Sequence, residues 1–395
     1  MLYSLYEAQH TALVPFRLMA ELSRGWFAHP FSPWAHLPVS RRVTATSDLF
    51  LRLTGRYEKP AWNIREAAAE VVQEKPFCNL VRFRQSRAKK QRVLVVAPLS
   101  GHHATLVRGT VLAMLREHEV WVTDWLDARM VPLSAGRFHL DDYVDYVREW
   151  IRLLSPELHV ISVCQPTVPV LAAVALQASN NDVTPRTMTM MGGPIDARRS
   201  PTEVNSLATR NPLSWFENNV IHSVPMPYPG QGRAVYPGFL QHAGFIAMNP
   251  SRHFMSHWDF YANLVKGDLQ DAESHRRFYD EYNAVLDMPA EYYLDTIRVV
   301  FQEFLLPRGK WKVDGELVNP AAIKKTALLS IEGELDDISG LGQTAAAHDL
   351  CTGIPKARHA HITVEGAGHY GIFSGRRWRD KVYPQVRDFI AKYAD

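Results

Sequence analysis

From Arg92 onward, short apolar runs of strand length alternate with helical stretches, and this alternation limits the possible folds more than any other feature of the chain. The predicted strands are the apolar runs at 93–97, 120–123, 158–163, 187–191, 326–331 and 361–364. The predicted helices lie between or after them, near 104–117, 140–154, 166–179, 342–351 and 376–393. Unbroken apolar strands separated by helices are typical of a parallel sheet that helices cover on both faces. The sequence therefore predicts an α/β protein with a mainly parallel sheet.

The same pattern divides the chain into four predicted segments. Residues 1–90 look helical and irregular, are interrupted by prolines and lack strand alternation, which predicts an N-terminal extension. Residues 91–196 and 321–395 form the two parts of the core. Between them, residues 197–320 lose the alternation and become rich in Trp, Tyr, Phe, His and Pro, which predicts an inserted cap. With 46% hydrophobic residues, the chain can bury a large core without disulfides or a structural metal.

Charge and cysteine content exclude several classes of protein. A net charge of +3, from 44 basic and 41 acidic residues, is too small for a nucleic-acid-binding surface. The basic pairs are scattered and are interpreted as solvated surface: Lys89-Lys90, Arg198-Arg199 and Arg376-Arg377. Three cysteines are too few and too far apart for a secreted disulfide framework. A reducing compartment is therefore expected.

The N-terminal residues do not resemble an export signal, because charged residues interrupt the apolar core that a signal peptide needs. No stretch approaches the ~18 apolar residues required to cross a bilayer. We therefore expect a cytoplasmic protein that does not span a membrane. The oligomeric state stays open at this point.

Cys164 lies in a context that favours a nucleophile. The apolar run LHVISV leads to Cys164-Gln165-Pro166, and the small-residue run TVPVLAAVALQAS follows. A strand, a reactive side chain and a helix in this order are typical of the nucleophile elbow of the α/β-hydrolase fold. Ser162 is small enough for a tight turn, and Pro166 is tolerated in a first helical turn. A lone buried cysteine is more often a packing residue, so the assignment of Cys164 as a nucleophile depends on finding an acid and a base elsewhere in the chain.

Two later strand ends supply those partners. Asp336 follows the run TALLSI and lies three residues after Gly333, the usual position of the orienting carboxylate; the neighbouring Asp337 is the alternative. His369 follows the last predicted strand, in a glycine-rich turn that can present an imidazole. The chain order nucleophile, acid, base is that of the α/β-hydrolases. The sequence thus predicts a Cys164-His369-Asp336 triad.

The predicted active site also needs donors for the oxyanion. Two backbone N–H groups must face the developing oxyanion, and Gln165 and His102 are the predicted donors, with Ser100 as the next choice.

The sequence contains no recognisable metal or nucleotide site. No histidine pair has a third ligand at metal-site spacing. The run GAGHYG lies too near the chain end to begin a dinucleotide-binding unit. We expect neither metal nor cofactor.

The chain resembles the intracellular poly(3-hydroxybutyrate) depolymerases over most of its length. The segments that carry the resemblance are YSLYEAQHTALVPFR (3–17), RYEKPAW (56–62), TDWLDARMVP (123–132), VISVCQP (160–166), MMGGPID (190–196), DMPAEYYLDTI (287–297), EGELDDISG (332–340) and GAGHYGIFSGRRWR (366–379). By position, the family's triad falls on Cys164, Asp336 and His369. The resemblance implies a cysteine-nucleophile α/β-hydrolase that hydrolyses amorphous polyester granules in the cytoplasm to 3-hydroxybutyrate oligomers and monomer, without a cofactor.

An apolar polymer should lie in an aromatic groove under the cap. The candidates, each equally explained by core packing, are Trp125, Trp215, Trp258, Tyr292 and Tyr293. The apolar N-terminal residues can either pack on the core, which we favour, or dock onto a granule surface: Leu2, Tyr3, Leu5, Tyr6, Leu13, Val14 and Phe16.

Three other functions compete with a depolymerase. Polyhydroxyalkanoate synthases also use a cysteine in this fold, but their motif is G-x-C-x-G, whereas Ser162 and Pro166 occupy the flanking positions here. A catalytically inactive granule-binding protein is a second alternative, which an intact triad opposes. A small-ester hydrolase or thioesterase is a third, and only the family resemblance disfavours it.

Overall fold

The computed structural model describes residues 2–85 and 91–394, so the Lys89-Lys90 pair lies outside the described residues. Eight strands form one sheet in the order β1-β2-β4-β3-β5-β6-β12-β13, and β4 to β13 of that order are parallel. The strands are β1 (Ala68–Lys75), β2 (Cys78–Arg84), β3 (Arg92–Val96), β4 (Glu119–Trp125), β5 (Leu158–Val163), β6 (Thr187–Met191), β7 (His222–Ser223), β8 (Ala234–Tyr236), β9 (Met288–Pro289), β10 (Lys312–Val313), β11 (Glu316–Leu317), β12 (Ala327–Gly333) and β13 (His359–Val364).

The helices cover this sheet and also form most of the N-terminal segment and of residues 197–320. They are α1 (Leu2–Ala28), α2 (Ser40–Thr54), α3 (Arg108–Met114), α4 (Leu140–Leu154), α5 (Thr167–Ser179), α6 (Glu203–Arg210), α7 (Leu213–Asn219), α8 (Gly238–Met248), α9 (Pro250–Lys266), α10 (Leu269–Asn283), α11 (Ala290–Thr296), α12 (Ala347–Leu350), α13 (Gly375–Arg377) and α14 (Tyr383–Lys392). The sheet order and its helices on both faces are those of an α/β-hydrolase, as the sequence predicts.

The core consists of two apolar layers, one on each face of the sheet. Along β3, Leu94 packs in the layer with α4 and α5, whereas Val93 packs in the layer with α3 and α14. Successive strand residues point to opposite faces, so an unbroken apolar run must be covered on both sides. Every residue of β5 is buried accordingly. The central strands thereby hold their carboxyl ends, where the candidate residues lie, in fixed positions.

The prediction of a strand-free segment at 1–90 is wrong. β1 and β2 form a hairpin in which Lys75 pairs with Cys78, and β2 continues the sheet antiparallel to β4. Most of β1 is exposed because it is the edge strand, so its sequence AAEVVQEK shows no apolar alternation. An edge strand needs no apolar face toward the core, and the periodicity test therefore misses it.

The helix predicted at 342–351 is also wrong for most of its length, since α12 covers Ala347–Leu350 and turns precede it. The buried Glu332 carboxylate accepts hydrogen bonds from the backbone N–H groups of Gly342, Thr344 and Ala345, at 2.7–2.9 Å. These bonds hold the segment in turns, because a carboxylate competes with the backbone acceptors of a helix. The six predicted core strands are confirmed, with ends that shift by no more than two residues.

Residues 197–320 contain helices and short strands, with β7, β8 and β9 forming a separate small sheet. The N-terminal helices join this region: α1 packs on α2, and α2 packs on α9. Tyr3 of α1 is buried, and its hydroxyl donates to Asp287 Oδ2 at 2.8 Å. Within the described residues, no helix has both the length and the apolar character needed to cross a membrane.

Candidate active site

Cys164 lies on the sharp turn between β5 and α5. Its φ of 69° is in the left-handed region, which a side chain with a Cβ adopts only at a cost of about 1–2 kcal/mol. Two backbone bonds hold the turn: the Cys164 N–H donates to the Met191 carbonyl at 2.7 Å, and the Thr167 N–H donates to the Cys164 carbonyl at 3.1 Å. Pro166 is the residue that precedes the first helical turn. This geometry presents the thiol at the end of the strand, only partly buried.

Gly192 and Gly193, which follow β6, leave room for this turn. A Cβ at Gly193 would lie 1.8 Å from Thr167 Oγ1 and 2.5 Å from the Cys164 carbonyl oxygen. A Cβ at Gly192 would lie 3.2 Å from His369 Cε1, and its φ of +56° is itself unfavourable for other residues. The sequence analysis did not assign these glycines a role, although a Gly-Gly pair at a strand end is a signal of close backbone approach.

Asp336 and His369 form a buried pair. His369 Nδ1 lies 2.8 Å from Asp336 Oδ2, and the other carboxylate oxygen accepts from the Ile338 and Ser339 N–H groups at 2.9 Å each. Both side chains are almost fully buried. The alternative carboxylate, Asp337, is exposed. Asp336 is thus fixed on one side by the backbone and orients the imidazole with the other.

The His369 side chain also interacts electrostatically with Cys164. Burial by itself lowers the pKa of His369, but the nearby Cys164 and Asp336, through their negative charges and the hydrogen bond to Asp336, outweigh it, so the pKa is raised well above 6.5. An imidazole flanked by a thiol and a carboxylate can accept the thiol proton and remain stabilised as a cation. The structure thus brings the three predicted residues into one neighbourhood, with His369 hydrogen-bonded to Asp336.

The predicted oxyanion donors follow two neighbouring strands, since Ser100 and His102 come after β3 and Gln165 comes after β5. Among residues 2–85 and 91–394, the backbone N–H groups of Gln165 and His102 have no hydrogen-bond acceptor. The loop that carries His102 is tied to the segment after α10: the Leu286 N–H donates to the Gly101 carbonyl at 2.7 Å, and His102 bridges to Val285. Ser100, the third predicted donor, lies partly buried in this loop. Two unused donors near a nucleophile suit a developing oxyanion.

The His102 ring is buried against α8 and α10. Its Nε2 lies 3.2 Å from the Tyr282 carbonyl oxygen, and the ring stacks on Phe245 with 5.0 Å between centroids. Burial lowers the pKa of His102 to about 4, so the ring is neutral at physiological pH. A neutral ring in this position supports the loop without adding charge beside the thiol.

Three tyrosines lie close enough to Cys164 for its charge to affect their pKa values. The sequence analysis named only one of them, Tyr292. Burial, followed by smaller contributions that include the negative charge of Cys164, raises the pKa of Tyr143, Tyr292 and Tyr370. Their hydroxyls therefore stay protonated and can donate. The Tyr292 hydroxyl lies near the Gln165 side chain, yet neither has a hydrogen-bond partner among the described residues. Unsatisfied buried polar groups beside a nucleophile are suited to contact a substrate.

The other predicted groove residues are scattered. Trp125 is buried, stacks on Tyr143 at 4.2 Å and donates through Nε1 to the Ala97 carbonyl at 2.9 Å. Tyr293 is partly buried against Tyr236, 4.4 Å away. Trp215 lies on α7 and Trp258 on α9, both exposed. The structure therefore places Tyr292 near Cys164 and the two exposed tryptophans on the protein surface.

One cavity lies outside the triad. It measures about 1270 Å³ and lies between α1, the segment after α2, and the helices α8 and α9. His103, Val285 and Asp287 contribute to its wall. None of the three triad residues lines this cavity.

Among the described residues, no group of three or more His, Cys, Asp or Glu side chains is arranged to hold a metal ion. His253 Nδ1 lies 2.9 Å from the Tyr279 hydroxyl, and His359 Nδ1 lies 2.6 Å from His348 Nδ1. These side chains are accounted for by hydrogen bonds within the fold.

Comparison with known proteins gives one family. Residues 192–394, a little over half of the chain, match the family model described as PHB de-polymerase C-terminus. None of the curated proteins matches the chain.

Several solved structures resemble the fold weakly. A hydrolase from Pseudomonas aeruginosa PA01 has a TM-score of 0.48 at 12% identity, over 83% of this chain and 99% of its own. A carboxylesterase structure from the thaumarchaeon Nitrososphaera gargenis gives 0.45 at 9% identity, over 82% and 99%. A monoacylglycerol lipase from Paleococcus ferrophilus gives 0.45 at 11% identity, over 76% and 94%. Likeness at this level carries no argument about substrate or mechanism.

Proposed function

The chain belongs to the PHB depolymerase family and is an ester hydrolase, and from this premise we propose that it degrades intracellular poly(3-hydroxybutyrate) through a cysteine nucleophile. One observation carries the proposal: Cys164 lies on a strained strand-helix turn and interacts electrostatically with an imidazole that Asp336 orients. The triad is the catalytic machinery in this proposal.

The first half of the reaction forms a thioester. His369 takes the proton from Cys164 Sγ, and the sulfur attacks the carbonyl carbon of a polymer ester. The carbonyl oxygen becomes an oxyanion, which the Gln165 and His102 N–H groups stabilise, and Ser100 is the alternative donor. The C–O bond then breaks, His369 returns the proton to the leaving hydroxyl, and a 3-hydroxybutyryl group remains on Cys164.

The second half releases the acid. His369 removes a proton from water, the hydroxide attacks the thioester carbonyl, and the sulfur leaves and regains the proton. The carboxylate of Asp336 stabilises the imidazolium in both halves. No step requires a metal or a cofactor.

The polymer is proposed to reach Cys164 past aromatic side chains. Tyr292 is the best placed of the predicted groove residues, because its free hydroxyl can donate to an ester carbonyl. Tyr293 and Trp125 belong to the packing behind it. Trp215 and Trp258 are too exposed to line a buried groove.

The proposed location is the cytoplasm, in association with polyester granules. The four-part division at 90, 196 and 320 remains a proposal too, although the hairpin of β1 and β2 continues the core sheet. A synthase is the main competing function, and the two differ in their need for 3-hydroxybutyryl-CoA.

The test is the release of 3-hydroxybutyrate from amorphous granules by the purified protein without added CoA, beside Cys164→Ala and Cys351→Ala. Cys351 is fully buried away from the triad and serves as the matched control. We expect release by the parent and the control and none by Cys164→Ala. Release by Cys164→Ala at the parental rate would refute the nucleophile. Cleavage of p-nitrophenyl butyrate without release from granules would refute the substrate.

A further inference from the structure

The outer face of α1 is apolar and uncovered. Leu5, Met19, Leu22 and Trp26 recur at helical spacing on one side of the helix, and each is more than half exposed. Phe16 and Leu18 flank them, with exposed fractions of 58% and 56%. At 100° per residue, these exposed apolar residues cover an arc of about 160°. The opposite side of α1, which includes Tyr3, packs on the protein.

This face carries almost no charge. Over Leu2–Ala28, all of which the structure describes, Glu21 and Arg24 are the only charged residues at exposed positions. Arg24 is directed to α2, where its Nη1 lies 3.2 Å from Asp48 Oδ1. The solvent side of a helix in a monomeric protein normally carries charged side chains. An exposed aromatic contributes roughly 100 Å² at half exposure, so the whole face exceeds the few hundred Å² usual for an apolar patch.

A second group of exposed apolar side chains lies on α9. Phe254, Met255 and Trp258 are exposed by 69%, 52% and 56%. The two helices also border one cavity, which takes wall residues from the side of α1 opposite its apolar face, Tyr6, His10 and Leu13, and from α9, His253, Phe254 and His257. We call the exposed apolar residues of α1 and of α9 together the docking face.

We propose that the docking face binds the surface of an uncharged hydrophobic polyester and holds the protein on it. The proposal rests on the proposed function, which supplies the polymer. Such a surface presents methyl and methylene groups and ester carbonyls, without charge, and it therefore matches a face that has apolar side chains and almost no ions.

Two other occupants fit the face less well. Binding to an anionic lipid surface relies on clustered Lys and Arg, which the exposed positions of α1 lack. A helix from a second copy would use a narrow seam flanked by charged positions. Here the apolar arc is wide, and Phe16 and Leu18 occupy its flanks.

The experiment compares two triple variants. The docking variant is Leu5→Gln/Met19→Gln/Leu22→Gln, and the control is Leu153→Gln/Val183→Gln/Leu317→Gln, which removes three exposed apolar side chains elsewhere. Binding is measured by co-sedimentation with amorphous poly(3-hydroxybutyrate) granules, and catalysis with granules and with soluble p-nitrophenyl butyrate. Circular dichroism establishes folding, and Leu22→Gln alone replaces the triple variant if that variant is unfolded.

We expect the docking variant to partition onto granules at least tenfold more weakly, to degrade them correspondingly more slowly, and to cleave the soluble ester within twofold of the parent. Granule binding equal to that of the control overturns the proposal. The proposal is also overturned if the parent binds phosphatidylcholine vesicles as strongly as it binds granules, because the face would then be a lipid-binding surface. A third refuting result is a parent that is a dimer and a docking variant that is a monomer but still binds granules. Failure of the proposed function is distinct, because the parent then binds granules without releasing 3-hydroxybutyrate.

Discussion

Replacing Asp336 by Asn tests the orientation of His369. The Ile338 and Ser339 N–H groups lie 2.9 Å from Asp336 Oδ1 and will fix the carbonyl oxygen of the new amide in that place. The amide NH2 then faces His369 Nδ1, 2.8 Å away, where the carboxylate oxygen was. Because both groups cannot donate to each other, the imidazole must carry its proton on Nε2, toward Cys164.

An imidazole in that tautomer cannot accept the thiol proton, and it also loses the carboxylate that helps to raise the pKa of His369. We expect kcat to fall roughly 10³- to 10⁴-fold, as in other triads with this change. This corresponds to about 4–5 kcal/mol of transition-state stabilisation. The assay is steady-state hydrolysis of p-nitrophenyl butyrate, with circular dichroism to show that the variant is folded.

Asp337→Asn is the matched control, since Asp337 is the adjacent and exposed carboxylate. It should keep kcat within twofold of the parent. If Asp336→Asn kept more than a tenth of the parental kcat, or if Asp337→Asn lost as much, the assignment of the acid would be refuted.

Three further predictions follow from the packing. Gly192→Ala should lower kcat/KM roughly 10- to 100-fold, because the positive φ disfavours a side chain and the new Cβ would lie 2.8 Å from Ile372 Cδ1 and 3.2 Å from His369 Cε1, which forces neighbours of the triad to shift. Gly244→Ala, with open space around it, should not lower kcat/KM. Iodoacetamide should label Cys164 alone in the folded protein, because burial raises the pKa of the Cys78 thiol and raises that of Cys351 to about 12. Peptide mass spectrometry identifies the labelled cysteines, and labelling of Cys78 or Cys351 would contradict this prediction. Burial lowers the pKa of His159 to about 3, so between pH 6.5 and pH 3 only the unfolded chain binds a proton at this histidine. The contribution of His159 to the free energy of unfolding is therefore fully present above pH 6.5 and decreases as the pH falls toward 3. In urea titrations, the free energy of unfolding of His159→Gln should decrease by about 2 kcal/mol less than that of the parent between pH 6.5 and pH 5. An equal decrease in both proteins would show that His159 does not cause the pH dependence.

The central sheet and the meeting of the three candidate residues could be predicted because both depend on local sequence. Buried parallel strands are unbroken apolar runs, as in β5, and the candidate catalytic residues directly follow such runs. Cys164, Asp336 and His369 belong to three different strand-to-loop turns, yet parallel strands bring their carboxyl ends to one edge of the sheet.

The missed features depend on contacts between distant segments. β1 could not be recognised because an edge strand lacks an apolar face. The turns before α12 depend on Glu332, which is ten or more residues away from the N–H groups it binds. The clearance at Gly193 exists only when β6 lies beside the Cys164 turn. The tyrosines near the thiol come from α4, α11 and the turn after β13, and no single stretch of sequence reveals their meeting.

The His102 loop is held from outside the sheet as well as from β4. The Gly101 carbonyl accepts from the Leu286 N–H, and the His102 ring lies against the Tyr282 carbonyl. The Cys164 turn, in contrast, is held by the Met191 carbonyl at the end of β6. A displacement of the segment 282–286 would therefore move the His102 N–H and leave the nucleophile in place, with one of the two proposed oxyanion donors lost.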